Sequence, residues 1–227
     1  MKKILSLLLV MFLFTVALPV YAQDQAAEEN PQTQAQQDEV LKHLREQNPY
    51  LEKLRKASIE FIKEVPEDGI KPLFMIRESY GIIRSVYAVQ RDVGHAVELC
   101  GNDNPDLKEE ISARFSQWNQ AVEPVLKDQD KNLQAAIEKQ SYKKPKDVNA
   151  YLDNIDDAAE YADKMLDKKV ITTEEACKSL LASMDRTEGN IVSILDEAPI
   201  PALDAEGKAI YEGDDEDSSE EEESADE

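Results

Sequence analysis

From Pro72 to Cys100 the apolar residues return in alternating steps of three and four, a period that imposes a long helix with one buried side. Met75, Ser79, Ile82, Val86, Val89, Val93, Ala96 and Cys100 form one line, and Ile76, Tyr80, Ile83, Tyr87 and Val97 form a second beside it. Two adjacent stripes make a face too wide for one neighbour to cover, as expected of the most buried helix in a bundle. Composition agrees, because seven glycines and ten prolines in 227 residues are too few for a turn-rich all-β domain.

The same rhythm recurs on either side. Val40, Leu44, Gln47, Leu51, Leu54, Ser58, Phe61 and Val65 mark a first helix, and Asn48-Pro49 predicts a break inside it, since Asn caps and Pro suits the first helical position. Pro66 to Gly69 closes that element, and the second helix is expected to begin near Pro72. Gly101 is expected to end it, with Asn104 capping the third helix and Pro105 opening it. The third carries Ile111, Phe115, Trp118, Val122, Val125, Gln129, Asn132 and Ala136, with Pro124 predicted to bend it. The fourth shows Val148, Leu152, Ile155, Ala159, Ala162 and Leu166.

Thr172-x-x-Glu175 reads as a capping box opening a fifth helix, which carries Cys177, Leu180, Met184, Thr187, Ile191 and Ile194 before Pro199. Short loops between long helices force neighbours to run antiparallel. The expected fold is therefore all-α: an antiparallel up-down bundle of four to five long helices, with one disulfide and disordered termini. The bundle domain spans 38–198, and residues 199–211 are apolar enough to strap back onto it.

The first 22 residues predict an address. A basic Met1-Lys2-Lys3, an apolar run from Ile4 to Leu18 and small residues at Val20 and Ala22 have the layout of an export signal, too short to span a membrane. Cleavage after Ala22 would deliver a periplasmic or secreted protein with no stable membrane insertion. Residues 23–37 lack aliphatic side chains beyond alanine and read as a flexible leader. In that oxidising setting one disulfide is expected between Cys100 and Cys177, because the third and fourth helices, one up and one down, bring the two seam cysteines to the same end.

Charge narrows the partners. The chain carries 26 basic and 48 acidic residues, a net −22 that becomes −24 once the two signal lysines are gone. Such a surface repels nucleic acid and anionic lipid and favours cationic partners. Against it, Arg77, Arg84 and Arg91 recur every seven residues, continued by His95. This stripe reads either as a partner or anion site or as the complement of Asp153, Asp156, Asp157, Glu160, Asp163 and Asp167 on the fourth helix.

Residues 212–227 hold eleven acids and no base. Asp214, Asp215, Glu216 and Asp217 make one cluster, and Glu220, Glu221, Glu222 and Glu223 another. So dense a run repels itself and reads as a disordered tail: a solubilising brush, a tether for a basic partner, or a site of weak divalent-cation capture. It lacks the spacing of a calcium-binding EF-hand loop.

Catalytic and cofactor patterns are missing: His43 and His95 fit no zinc-protease or haem-attachment spacing, and no phosphate-binding glycine loop or nucleophile elbow occurs. Trp118, Tyr80 and Tyr87 read as core. The sequence thus predicts a non-enzymatic exported binder of a protein or peptide, with no cofactor. The alternative is a carrier of a small molecule, haem or metal in the bundle interior, with His95 and Met75, Met165 or Met184 as ligands.

Overall fold

The computed structural model describes residues 48–165 and 170–211. The expected signal, leader, first-helix residues before Asn48, Leu166, Asp167 and the acidic tail lie outside them.

Among the described residues the chain is helical: α1 (Pro49–Lys63), α2 (Glu67–Asp103), α3 (Lys108–Lys139), α4 (Pro145–Met165) and α5 (Glu174–Asp196), with a 3-10 turn at Pro105–Leu107. A lone β-bridge joins Leu203 to Ala209. α1 starts where its sequence allows. Asn48 Oδ1 accepts the Tyr50 N–H at 3.0 Å, the N-cap bond that Asn supplies. Its Nδ2 reaches across to donate to the Ala158 carbonyl of α4 at 2.9 Å.

α2 begins five residues before Pro72. Pro66 is extended and caps it, and Glu67 and Asp68 suit the positive end of the helix dipole. Pro72, buried inside the helix, leaves the Asp68 carbonyl without its usual N–H. Packing compensates: Gly69 lies on the Tyr142 ring, where a Cβ would sit 2.6 Å from ring carbon. Nor does Gly101 end α2. It is buried within the helix, and Asn104 terminates the run instead, its backbone N–H and Nδ2 donating to the Cys100 carbonyl at 2.9 and 3.2 Å. The Asn104 side chain therefore caps the helix before it; Asn104 also stands at the N-cap position of the 3-10 turn that Pro105 opens, without a side-chain bond there.

The N-cap of α5 is Thr173, which accepts from the Ala176 N–H at 3.3 Å. Thr172, the expected cap, uses its carbonyl to accept from Asn104 Nδ2 at 2.9 Å.

The core joins all five helices through Leu54, Ile76, Ile83, Ile111, Trp118, Ile155 and Leu195, all of them buried. Its register departs from the expected seams in three places. Along α3 the buried residues after Pro124 are Leu126, Leu133, Ala136 and Ile137; Ala136 lies on the expected seam, whereas Asn132 is exposed and Gln129 half-buried. On α4 Ala158 is buried and Ala159 exposed, and on α5 Leu195 is buried and Thr187 exposed. A straight α-helix drifts about 20° per heptad from a strict 3.5-residue repeat, which moves the buried face to later residues, the direction seen at Leu133 and Leu195. At Ala158 the shift is one residue earlier, and drift does not account for it.

Cross-helix contacts fix directions. Gln90 pairs with Asn119 while Gly94 meets Phe115, so α2 and α3 run oppositely. Arg84 pairs with Asp156 and Arg91 with Asp163, so α2 and α4 run the same way. α1 descends along α4, from Asn48 at Ala158 to Glu64 at Lys143.

After α5 the chain crosses to the end of α3. Lys139 Nζ donates to the Leu203 carbonyl at 2.8 Å, Ser141 N–H to the Gly207 carbonyl at 3.1 Å, and Ala209 N–H to Tyr142 Oη at 2.7 Å. Gly207 has φ +80°, and a Cβ there would lie 2.2 Å from the Lys139 carbonyl oxygen, so this docking requires glycine.

Candidate functional site

The arginine stripe faces α4. Arg84 donates from Nε to Asp156 Oδ1 at 3.2 Å and from Nη2 to Oδ2 at 2.8 Å, and Tyr80 Oη donates to the same Oδ2 at 2.7 Å. Arg91 repeats the pairing one heptad on, with Asp163 at 3.0 Å and Asp92 at 2.9 Å. Both cross-helix pairs span 72 residues, so two heptad ladders run in step. The same offset places Asn149, not an acid, at the level of Arg77, and carries His95 to Asp167, outside the described residues. Arg77 instead borders a cleft with Phe61, Leu73, Phe74 and Tyr151, and His95 is exposed.

The remaining acids of α4 divide. Asp157 takes Lys53 of α1 at 2.8 Å, and Glu160 pairs within α4 with Lys164. Beside this seam, Tyr87 Oη donates to Asp130 of α3 at 3.2 Å.

Electrostatics follow. Burial pushes the Tyr80 hydroxyl well above its ordinary range, helped by its bond to Asp156. Burial raises Tyr87 as well, with the Asp130 charge adding to it. A tyrosine held protonated in the fold contributes stability that is complete below the unfolded value near 10 and is lost as pH climbs toward the folded value. We expect tyrosinate absorbance to rise in two phases on alkaline titration, with Tyr80 and Tyr87 late. Tyr80→Phe should shrink the late phase and blunt the loss of stability above about pH 10; a single phase shared by every tyrosine in both proteins would contradict this.

Reversing the best-formed pair gives a second expectation. Arg84→Glu places two acids against each other and removes both bonds to Asp156, while half the arginine side chain remains in solvent. We expect a loss of about 1 kcal/mol, the upper range for an exposed pair, read as a lowered urea midpoint at unchanged slope.

At the opposite end of α2 the two cysteine sulfurs are 2.04 Å apart, at bonding distance, with Cα atoms 5.7 Å apart. Both residues are fully buried. Asn104 sits over the bond, with Nδ2 within 3.5 Å of Cys177 Sγ.

Two polar devices, Gln140 and Arg114, escaped sequence reasoning, and a third, Asn104, reads from the sequence only as a cap. Gln140 is buried and fully engaged: Oε1 accepts the Tyr142 and Lys143 N–H groups, each at 2.9 Å, and Nε2 donates to the Ile137 carbonyl at 3.2 Å. It builds the loop between α3 and α4. Asn104 ties the end of α2 to the residues before α5 through the Thr172 carbonyl. Arg114 joins α3 to Asp185 and Glu188 of α5 through a side chain only 16 % exposed. A lone arginine amid the acids of early α3 was the available signal.

The ligand set considered for a carrier does not share a surface. Met184 is 2 % exposed and Met165 64 % exposed, whereas His95 is a surface residue and Met75 half-buried. The cleft beside Arg77 holds about 10 Å³ of free space, room for about one water. No group of three or more metal-ligating side chains occurs among the described residues, and none of their helices is long and apolar enough to cross a membrane.

Comparison of the chain with protein-family models, curated proteins and solved structures finds no match to any of them.

Proposed function

We propose that this is an exported, non-enzymatic protein whose five helices form one up-down bundle, and that it acts by binding a protein or peptide. The observation that carries the reading is how the acidic run is mounted. Residues 199–211 are pinned to the end of α3 and the loop after it by four hydrogen bonds, and the eleven acids of 212–227 follow directly. A helical body with so concentrated a negative charge attached at one end suits a cationic partner, which it would attract over about 10 Å at 0.1 M salt. The packed interior, occupied by Trp118, Ile83, Leu126 and their neighbours, supports binding at the surface in preference to carriage within.

Native mass spectrometry of the full chain recovered from its own compartment tests both the address and the activity. The reading expects a chain starting at Gln23, accompanied by a basic protein whose retention falls with salt and is lost on deletion of residues 212–227. A chain still carrying residues 1–22, or added small-molecule mass that survives high salt and the deletion, would overturn it.

A further inference from the structure

Most described basic side chains outside one end of the molecule have an acid beside them: Lys53 with Asp157, Arg84 with Asp156, Arg91 with Asp163, Arg114 with Asp185. At the end where α1 and α3 finish and α2 and α4 begin, the pattern changes. The stretch from Lys139 to Lys146 holds four lysines and no acid. Only Lys143 forms an ion pair there, with Glu64. Lys139 donates to a neutral carbonyl, and no described carboxylate pairs with the exposed Lys144 or Lys146.

Placement makes these charges costly. Lys144 and Lys146 flank Pro145 at the N-terminus of α4, where the helix dipole disfavours cations. Most acids of this end are engaged locally or stand where a dipole already draws them. Glu67, Asp68 and Asp147 lie in first turns, and Asp204 accepts the Glu206 and Lys208 N–H groups. Glu138 and Glu206 are exposed.

The strap lies on this same loop. Its last described residue, Tyr211, packs its ring 4.1 Å from Lys71 Nζ of early α2. The sixteen residues that follow carry eleven negative charges and no positive one. A tether of that length has a root-mean-square reach of about 22 Å, and more when like charges extend it. Attached beside its target, such a segment meets it at a local concentration in the millimolar range.

We propose that the acidic run 212–227 folds back on the lysine loop Lys139–Lys146 and its neighbour Lys71, so that each masks the other. The contact is intramolecular, held by many weak charge pairs in place of one geometry, and sensitive to salt. An outside polycation reaches the acidic run only by displacing the loop. The proposal does not rest on the partner reading, since loop and run can hold each other with no third molecule present.

Zero-length carbodiimide cross-linking of the full chain at low salt, followed by peptide mapping, tests it. Links from the carboxylates of 212–227 should fall on Lys71, Lys144 and Lys146 at least several-fold more often than on exposed Lys108 or Lys131. They should disappear in 0.5 M salt, where the screening length is about 4 Å. Mixed isotope-labelled and unlabelled protein should link within one chain. The double substitution Lys144→Gln, Lys146→Gln alters exposed side chains without a described partner, so it should fold and should lower the remaining links to Lys71. Equal linking to Lys108 and Lys131, links that survive high salt, or links between copies would each overturn the proposal.

Discussion

Replacing Cys100 and Cys177 together by alanine should lower the unfolding free energy by about 4 kcal/mol. The bond closes a loop with a sequence separation of 77, and a cross-link over that span removes about this much chain entropy from the unfolded state. For a domain of this size the melting temperature should fall by roughly 8–16 °C. Reductant added to the unmodified protein during melting should give the same curve as the double variant. A reductant-insensitive melting temperature would show that the bond is missing or carries no stability. The position strengthens the expectation, since the bond ties the end of α2 to the start of α5, and Asn104 closes the same junction through the Thr172 carbonyl. Freed there, α5 keeps its packing on α3 but loses its fixed starting point.

Leu133→Ala should cost about 2–5 kcal/mol, the range for truncating a fully buried leucine. Asn132→Ala, one residue earlier, should stay within about 0.5 kcal/mol, because Asn132 is exposed and bonds only to Asp128, at 3.4 Å. Urea unfolding of the two variants side by side reads the register of α3 beyond Pro124. If Asn132→Ala were the costly change, the buried face would be the one that strict heptad spacing assigns, and the packing described above would be wrong there.

That pair of residues also marks how far the sequence can be read. Local periodicity is strong around Ile76, Ile83 and Trp118, because each buried turn repeats its neighbour, and there expected and observed faces coincide. The two cysteines fell at one end by counting helix directions, a coarse quantity that small register errors do not disturb. Errors accumulate where a seam is carried past a proline or toward a helix end, as at Leu133 and Leu195.

Helix ends themselves were misplaced wherever a distant side chain decides them. Gly69 begins α2 early because Tyr142, 73 positions away in the chain, lies against it, and Asn104 looks local but bonds to residue 172. The arginine stripe was visible as a heptad; that Arg84 meets Asp156 while Arg77 meets no acid depends on a 72-residue offset that only the packed helices supply. Function was the least legible. Two of the three stripe arginines meet acids of α4 inside the same chain, so the prominence of that stripe says as much about assembly of the fold as about a ligand.

The junction at Cys177 bears on how this protein would come apart. The cysteine lies in the first turn of α5, just beyond the stretch between Met165 and Glu174 that joins it to α4. A protease cutting there severs the polypeptide but frees nothing: one piece keeps α1 to α4, the other keeps α5 and the strap, and a covalent link still spans them. On a gel the nicked molecule would run as one band until a thiol is added, then as two. Outside a cell, a backbone break at that stretch is therefore damage the molecule can carry as a two-chain species.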